Sequence, residues 1–228
     1  MKKVVVISLG GSLIVPEKID HGILKKFKQT IEKNYSKYKF VIVCGGGVIA
    51  RKYISILKAQ KKNEKEISMG GIRATRMNAL LMMQVFSKNA NKTLPKSIKD
   101  IENDIRKNKI VFCGALRYSN KETSDGTAAK IAKHFRCDFI NMTNIKGLYS
   151  DNPKKNKNAK FISEITWKKF EKQALAIKYE PGQHFVLDQN AAKIIRKHKI
   201  KTYIIGDDSS NIDKILKNKK FIGTSIVK

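Results

Sequence analysis

Acidic side chains are the scarce class in this chain. Asp and Glu number 19 against 48 Lys and Arg in 228 residues, a formal net charge of +29. Such a surface draws anions, whether nucleic acid, anionic membrane or phosphorylated metabolites. The lysines are spread along the whole chain and form no patch interleaved with aromatics, so charge alone selects none of these partners. Cysteine is also sparse: Cys44, Cys113 and Cys137 form no C-x-x-C pair, and the four histidines are scattered. That excludes a disulfide framework and a structural zinc site, and no resident metal is expected from the side chains. Cys44 and Cys113 close apolar runs and read as buried, inert thiols.

Long apolar runs are missing too. None approaches the ~20 residues that span a bilayer, and the start at Met1-Lys2-Lys3 leads into a strand rather than a cleavable leader. The expectation is a cytoplasmic protein without a membrane partner. No internal repeat, low-complexity tract or flexible linker divides the sequence. Its length suits one buried core, so a single domain over 1–228 is expected.

What is present is alternation. Apolar, β-branched runs at 3–9, 39–44, 109–113, 138–142, 201–205 and 221–227 read as strands. Amphipathic segments at 21–34, 48–60, 72–88, 97–107, 125–135, 166–174, 188–198 and 210–217 read as helices. Continuous apolar strands separated by helices imply a mostly parallel central sheet covered on both faces, a three-layer α/β/α sandwich. Asn152–Lys160, with Pro153 near its start, reads as a loop.

Two of these strands end in glycine clusters. Val4–Leu9 runs into Gly10-Gly11-Ser12, and Phe40–Cys44 runs into Gly45-Gly46-Gly47. Glycine lets the backbone turn sharply and bring its N–H groups close to a ligand, and a following helix adds its positive end. Three successive glycines exceed what a turn needs. Arg51, about one helical turn further on, can reach back to the same opening. Thr123-Ser124-Asp125 opens another helix, where caps and anion-binding groups are the same atoms. Thr143-Asn144-Ile145-Lys146-Gly147-Leu148-Tyr149 follows a strand end, where an α/β sheet binds nucleotide, and Tyr149 can stack on a base or pack the loop.

The ordered blocks G-G-S, G-G-G-x-x-A-R-K-Y, G-I-x-x-T-R-x-N-A, T-S-D-x-x-A-A, T-N-x-x-G-x-Y and L-D-x-x-A-A-K-I-I resemble the amino acid kinase family. Within it they look most like the archaeal type of uridylate (UMP) kinases. The resemblance covers essentially the whole chain. It implies an α/β/α domain assembled as a homo-oligomer, a hexamer, that uses ATP and Mg²⁺ to phosphorylate UMP to UDP in pyrimidine nucleotide biosynthesis. Residue by residue, it implies that Ser8, Leu9, Gly10, Gly11, Ser12, Gly47 and Arg51 lie on the ATP side. Thr143, Tyr149 and Asn152 would line the nucleoside pocket of ATP, and Gly46, Ser68, Thr123 and Ser124 would contact UMP. No catalytic base is implied, because the acceptor phosphate is already anionic.

The chain departs from the family pattern at identifiable places. Ser8 stands where many members carry Lys, and Ser68 where an acid meets the acceptor ribose. Lys146 and Asn152 replace the two Asp of the T-N-V-D-G-V-Y-x-x-D-P pattern, with Asp151 one position early. The loop Ala115–Glu122 is longer than usual and lacks Pro-Gly. These departures keep two other readings open: a kinase of the family with a different small acidic acceptor, and a non-catalytic nucleotide- or RNA-binding protein on a decayed kinase fold.

Overall fold

The computed structural model describes residues 2–18, 20–118, 123–151, 153, 156–177 and 187–228. The chain runs through β1 (Lys3–Leu9), α1 (Gly11–Ile14), α2 (His21–Lys33), β2 (Tyr38–Cys44), α3 (Gly47–Ala59) and α4 (Glu64–Phe86). It continues through α5 (Ile98–Lys107), β3 (Ile110–Cys113), α6 (Ser124–Phe135), β4 (Phe139–Met142), β5 (Leu148–Tyr149), β6 (Phe161–Ile162) and β7 (Glu164–Ile165). It closes with α7 (Trp167–Leu175), α8 (Gln189–Lys197), β8 (Thr202–Ile205), α9 (Ser210–Leu216) and β9 (Gly223–Ile226).

Seven strands form one sheet in the order β3-β2-β1-β4-β8-β9-β7. All its pairings are parallel except β8 with β9. Strand residues alternate between two cores, as the period of two requires. Val6, Val41, Val111 and Phe139 face α5, α6, α7 and α8. Val5, Ile7, Phe40 and Ile42 face α2, α4 and α9. The expected three layers and mostly parallel sheet are therefore present. β1 to β4 are buried at nearly every position, which is why they read as unbroken apolar runs.

The element boundaries differ from expectation most in α4. The helix expected at 72 starts at Glu64, behind an Asn63/Glu66 capping box. Gly70 and Gly71, which stand just before the expected start, lie inside the helix. A Cβ on Gly70 would stand 2.6 Å from Leu57 Cδ1, and one on Gly71 3.3 Å from Ile54 Cδ1. The glycines let α4 lie close against α3, and packing outweighs their low helix propensity. Three two-residue strands, β5, β6 and β7, carried no readable period. β5 and β6 pair as an antiparallel hairpin around the expected loop, where Ser150 N–H donates to Lys160 O at 2.8 Å. Cys44 and Cys113 are fully buried, and burial pushes the Cys113 thiol up to about 12.

Candidate functional site

β1, β2, β3, β4 and β8 run parallel, so their following loops emerge along one edge of the sheet. β1 lies between β2 and β4: the chain steps from β1 outward to β2 and β3, then resumes on the other side. That is the point in a doubly wound sheet where a crevice opens beyond the strand ends. Ladder bonds continue past the strands and pin the loops there. Gly45 N–H donates to Leu9 O at 2.8 Å, Gly10 N–H to Met142 O at 2.8 Å, and Thr143 N–H to Ile205 O at 2.9 Å.

The two glycine clusters meet backbone to backbone. A Cβ on Gly11 would collide with Gly47 N, Gly45 O and Gly46 C. One on Gly47, whose φ is +58°, would stand 2.7 Å from Ser12 N and from Gly11 O. Asn78 of α4 holds the second cluster from behind, donating through Nδ2 to Gly45 O at 2.7 Å. A side chain at either glycine would collide with the main chain of the other loop, so the two loops can meet this closely only because both carry glycine. α1 opens at Gly11 and α3 at Gly47, so two helix starts point at this junction.

The site residues expected from sequence fall into several groups. Gly10, Gly11, Ser12, Gly46 and Gly47 lie together at the junction. Leu9 is buried and can take part only through its main chain. Arg51, on α3 one turn beyond Gly47, is half-buried and pairs with no other described residue. Ser68 is a half-buried residue of α4, one turn before Gly71, whose carbonyl lies against Gly46. Thr143 opens the loop after β4. Tyr149 lies on β5 with its ring edge-on to Phe161, centroids 5.4 Å apart, and its carbonyl accepts from Gln173 Nε2 at 2.8 Å. Asn152 lies outside the described residues, as does part of the loop 115–122. Lys146 is exposed and pairs with no other described residue.

Beside the junction lies a polar cluster built from side chains. Ser8, 2% exposed, faces α6 and donates to Asp125 Oδ1 at 2.7 Å. Burial pushes the Asp125 carboxyl up to about 7, the nearby Asp188 carboxylate adds to this, and the Ser8 bond opposes it. Asp188 caps α8 by accepting from Ala191 N–H at 2.6 Å. Its other oxygen accepts from Thr123 N–H, Thr123 Oγ1 and Gly126 N–H at 2.9, 2.6 and 3.0 Å. Thr123 itself caps α6, accepting from Asp125 N–H at 3.2 Å.

A third group braces the loop after β3. Thr75 Oγ1 accepts from Ala115 N–H at 2.9 Å, and the Arg76 guanidinium donates to Ala115 O at 3.2 Å and Leu116 O at 2.5 Å. Asp125, Asp188, Asn78, Thr75 and Arg76 were visible in sequence only as members of blocks. The one readable signal was that Thr, Ser and Asp precede helices. Their partners lie tens of residues away and leave no local pattern.

This arrangement suits phosphate-bearing ligands approaching one sheet edge. Glycine main chain and helix starts gather at the junction, Arg51 stands on α3 one turn beyond Gly47, and hydroxyls lie to one side. Comparison with known proteins agrees. Residues 3–206 match the model of the amino acid kinase family. The uridylate kinase of Thermococcus kodakarensis is 33% identical over 217 residues, 94% of this chain and 96% of the relative. That of Thermoplasma acidophilum is 34% identical over 230 residues, 99% and 97% of the two chains. The crystal structure of uridylate kinase from Archaeoglobus fulgidus superposes with a TM-score of 0.84 at 33% identity, covering 100% of both chains. With its whole sheet and its glycine junction accounted for, this chain belongs to the amino acid kinase family.

Proposed function

We propose that this chain is a UMP kinase, transferring the γ-phosphoryl group of ATP to UMP. The observation that carries the reading is the contact between the two glycine loops at the switch point, in a chain alike from end to end to proteins named uridylate kinase. A UMP phosphate oxygen attacks the γ-phosphorus, the bond from that phosphorus to the β,γ-bridging oxygen breaks, and UDP and ADP result. Such transfer needs in-line placement and charge neutralisation rather than covalent chemistry by the protein.

In this reading Ser8, Gly10, Gly11, Ser12, Gly47 and Arg51 serve ATP, with Leu9 acting through its main chain. Thr143 and Tyr149 serve its nucleoside, a role the resemblance also gives to Asn152. Gly46, Ser68 and Ser124 serve UMP directly, and Thr123 belongs to the same turn without a free donor of its own. The glycine amides fix the phosphates, and Arg51 offsets charge that builds on the transferring group. Among the described residues no three His, Cys, Asp or Glu side chains are grouped to cage a metal ion. Mg²⁺ would arrive with ATP and would supply charge neutralisation at the phosphates.

The whole chain acts as one domain, working in the cytoplasm as a homo-oligomer, a hexamer. Exposed Tyr53 and Ile56 on α3, with Met77, Leu80 and Leu81 on α4, support an apolar face covered by a second copy. No helix among the described residues is long and apolar enough to cross a membrane.

A coupled assay of purified protein with ATP, Mg²⁺ and UMP is expected to release ADP, with CMP and dUMP poorer acceptors. Absence of turnover on all three would sink the reading. The +29 charge favours one rival, RNA binding without catalysis. That affinity would fall steeply with salt, whereas nucleotide held in a pocket is less sensitive.

A further inference from the structure

Asp188 has no part in the reading above, yet two helices begin on its carboxylate. It is 2% exposed and joins α8, through Ala191 N–H, to the first turn of α6, through Thr123 and Gly126. A buried carboxylate is costly unless hydrogen-bonded, and two helix N-termini supply both donors and favourable dipoles. The anion-binding end of α6 is thus already filled by a group of the chain itself. Thr123 gives Asp188 both its N–H and its hydroxyl, Gly126 gives its N–H, and Asp125 N–H is taken by Thr123 Oγ1. Ser124, half-exposed, is left with an N–H and a hydroxyl that no described residue takes.

We infer that Asp188 is a positioning residue for the acceptor phosphate: it withdraws Thr123 and Gly126 from ligand binding and leaves Ser124 as the donor that α6 presents. This rests on the reading that the α6 turn faces UMP. An amide at 188 could serve one helix but would aim its NH₂ at the N–H groups of the other. The turn would then loosen, and two unneutralised helix starts would compete for the phosphate.

The test uses full-length Asp188→Asn, Ser124→Ala and the double variant, with UMP binding measured by calorimetry without ATP. Asp188→Asn is expected to weaken UMP about tenfold or more, because charge-assisted bonds are lost. The KM for ATP should stay within about twofold, and the two substitutions should be non-additive, since one acts through the other. The Asp125 carboxyl, followed by carbon NMR, should titrate lower in Asp188→Asn, a shift that a purely packing role would not produce. If circular dichroism shows that Asp188→Asn does not fold, Asp188→Glu, which keeps the charge on a longer arm, is expected to weaken UMP in its place. Wild-type protein that binds UMP while the position-188 variants bind it equally well, or additive effects in the double variant, would overturn the inference. Wild-type protein that binds no UMP overturns the parent reading, and this one with it.

Discussion

The glycine junction and the polar cluster beside it are made of different material. Around Gly11 and Gly47 the surface is main chain, formed where two loops touch. Around Thr123, Asp125 and Asp188 it is side chain, held by hydrogen bonds between elements far apart in sequence. A backbone cradle tolerates no side chain at its centre. A side-chain network can exchange members while the strands stay fixed. The glycine clusters keep the family pattern, whereas Ser8, one of the departures from it, is a member of the side-chain network through its bond to Asp125.

The sharpest way to break the contrast is to put a methyl group into the backbone junction. Gly11→Ala must displace the main chain of residues 45–47. It should cost about 3 kcal/mol, lowering Tm by roughly 6–12 °C, and turnover should fall at least about a hundredfold. Gly22→Ala, whose methyl would meet only Asp20 Oδ1 at 3.0 Å, is the control. Near-native turnover in Gly11→Ala would show that the cradle is not rigid.

Next comes the lone guanidinium. Arg51→Ala should lower kcat/KM for ATP by about 10–100-fold, with Arg51→Lys intermediate, because a bidentate contact becomes a point charge. Equal activity of Ala and Arg at this position would remove Arg51 from the phosphate site.

Stability against pH probes the polar cluster. The folded chain holds the Asp125 proton to about pH 7, above the ordinary 3.8. That contribution to stability is complete below the ordinary value and drains away as pH rises through about 7. Asp125→Asn keeps an acceptor for Ser8 and never acquires the charge. Its Tm should exceed that of wild type by several degrees near pH 8, with the gap closing below about pH 4. A gap independent of pH would contradict the assignment. The smallest effect is expected at Lys146, which is exposed and pairs with no other described residue. Lys146→Gln should change the KM for ATP by less than about threefold, and a larger loss would bring Lys146 onto the phosphates.

The same division governs what the sequence made legible. β1 and β2 were readable because burial on both faces leaves unbroken apolar runs, and the glycine clusters because they sit at strand ends. α4 was cut short because Gly70 and Gly71 signal a break locally, while their reason, close passage of α3, lies on another element. The bonds from Asp188 to Thr123 and from Asn78 to Gly45 join residues 65 and 33 positions apart. No periodicity records such pairings, so the blocks named the residues without saying what they touch.

The Asp188 link also has a consequence in time. The contact of Gly11 with residues 45–47 and its brace from Asn78 lie within the first 78 residues, and Met142, whose carbonyl accepts from Gly10 N–H, follows. The α6 turn lacks its anchor until residue 188 leaves the ribosome. At a synthesis rate of about 5–20 residues per second, residue 188 is added several seconds after residue 78, so the side-chain half of the site is the last part able to lock. A nascent chain stalled between those points lacks the Asp188 anchor, and limited proteolysis should cut it near Thr123 more readily than the full chain.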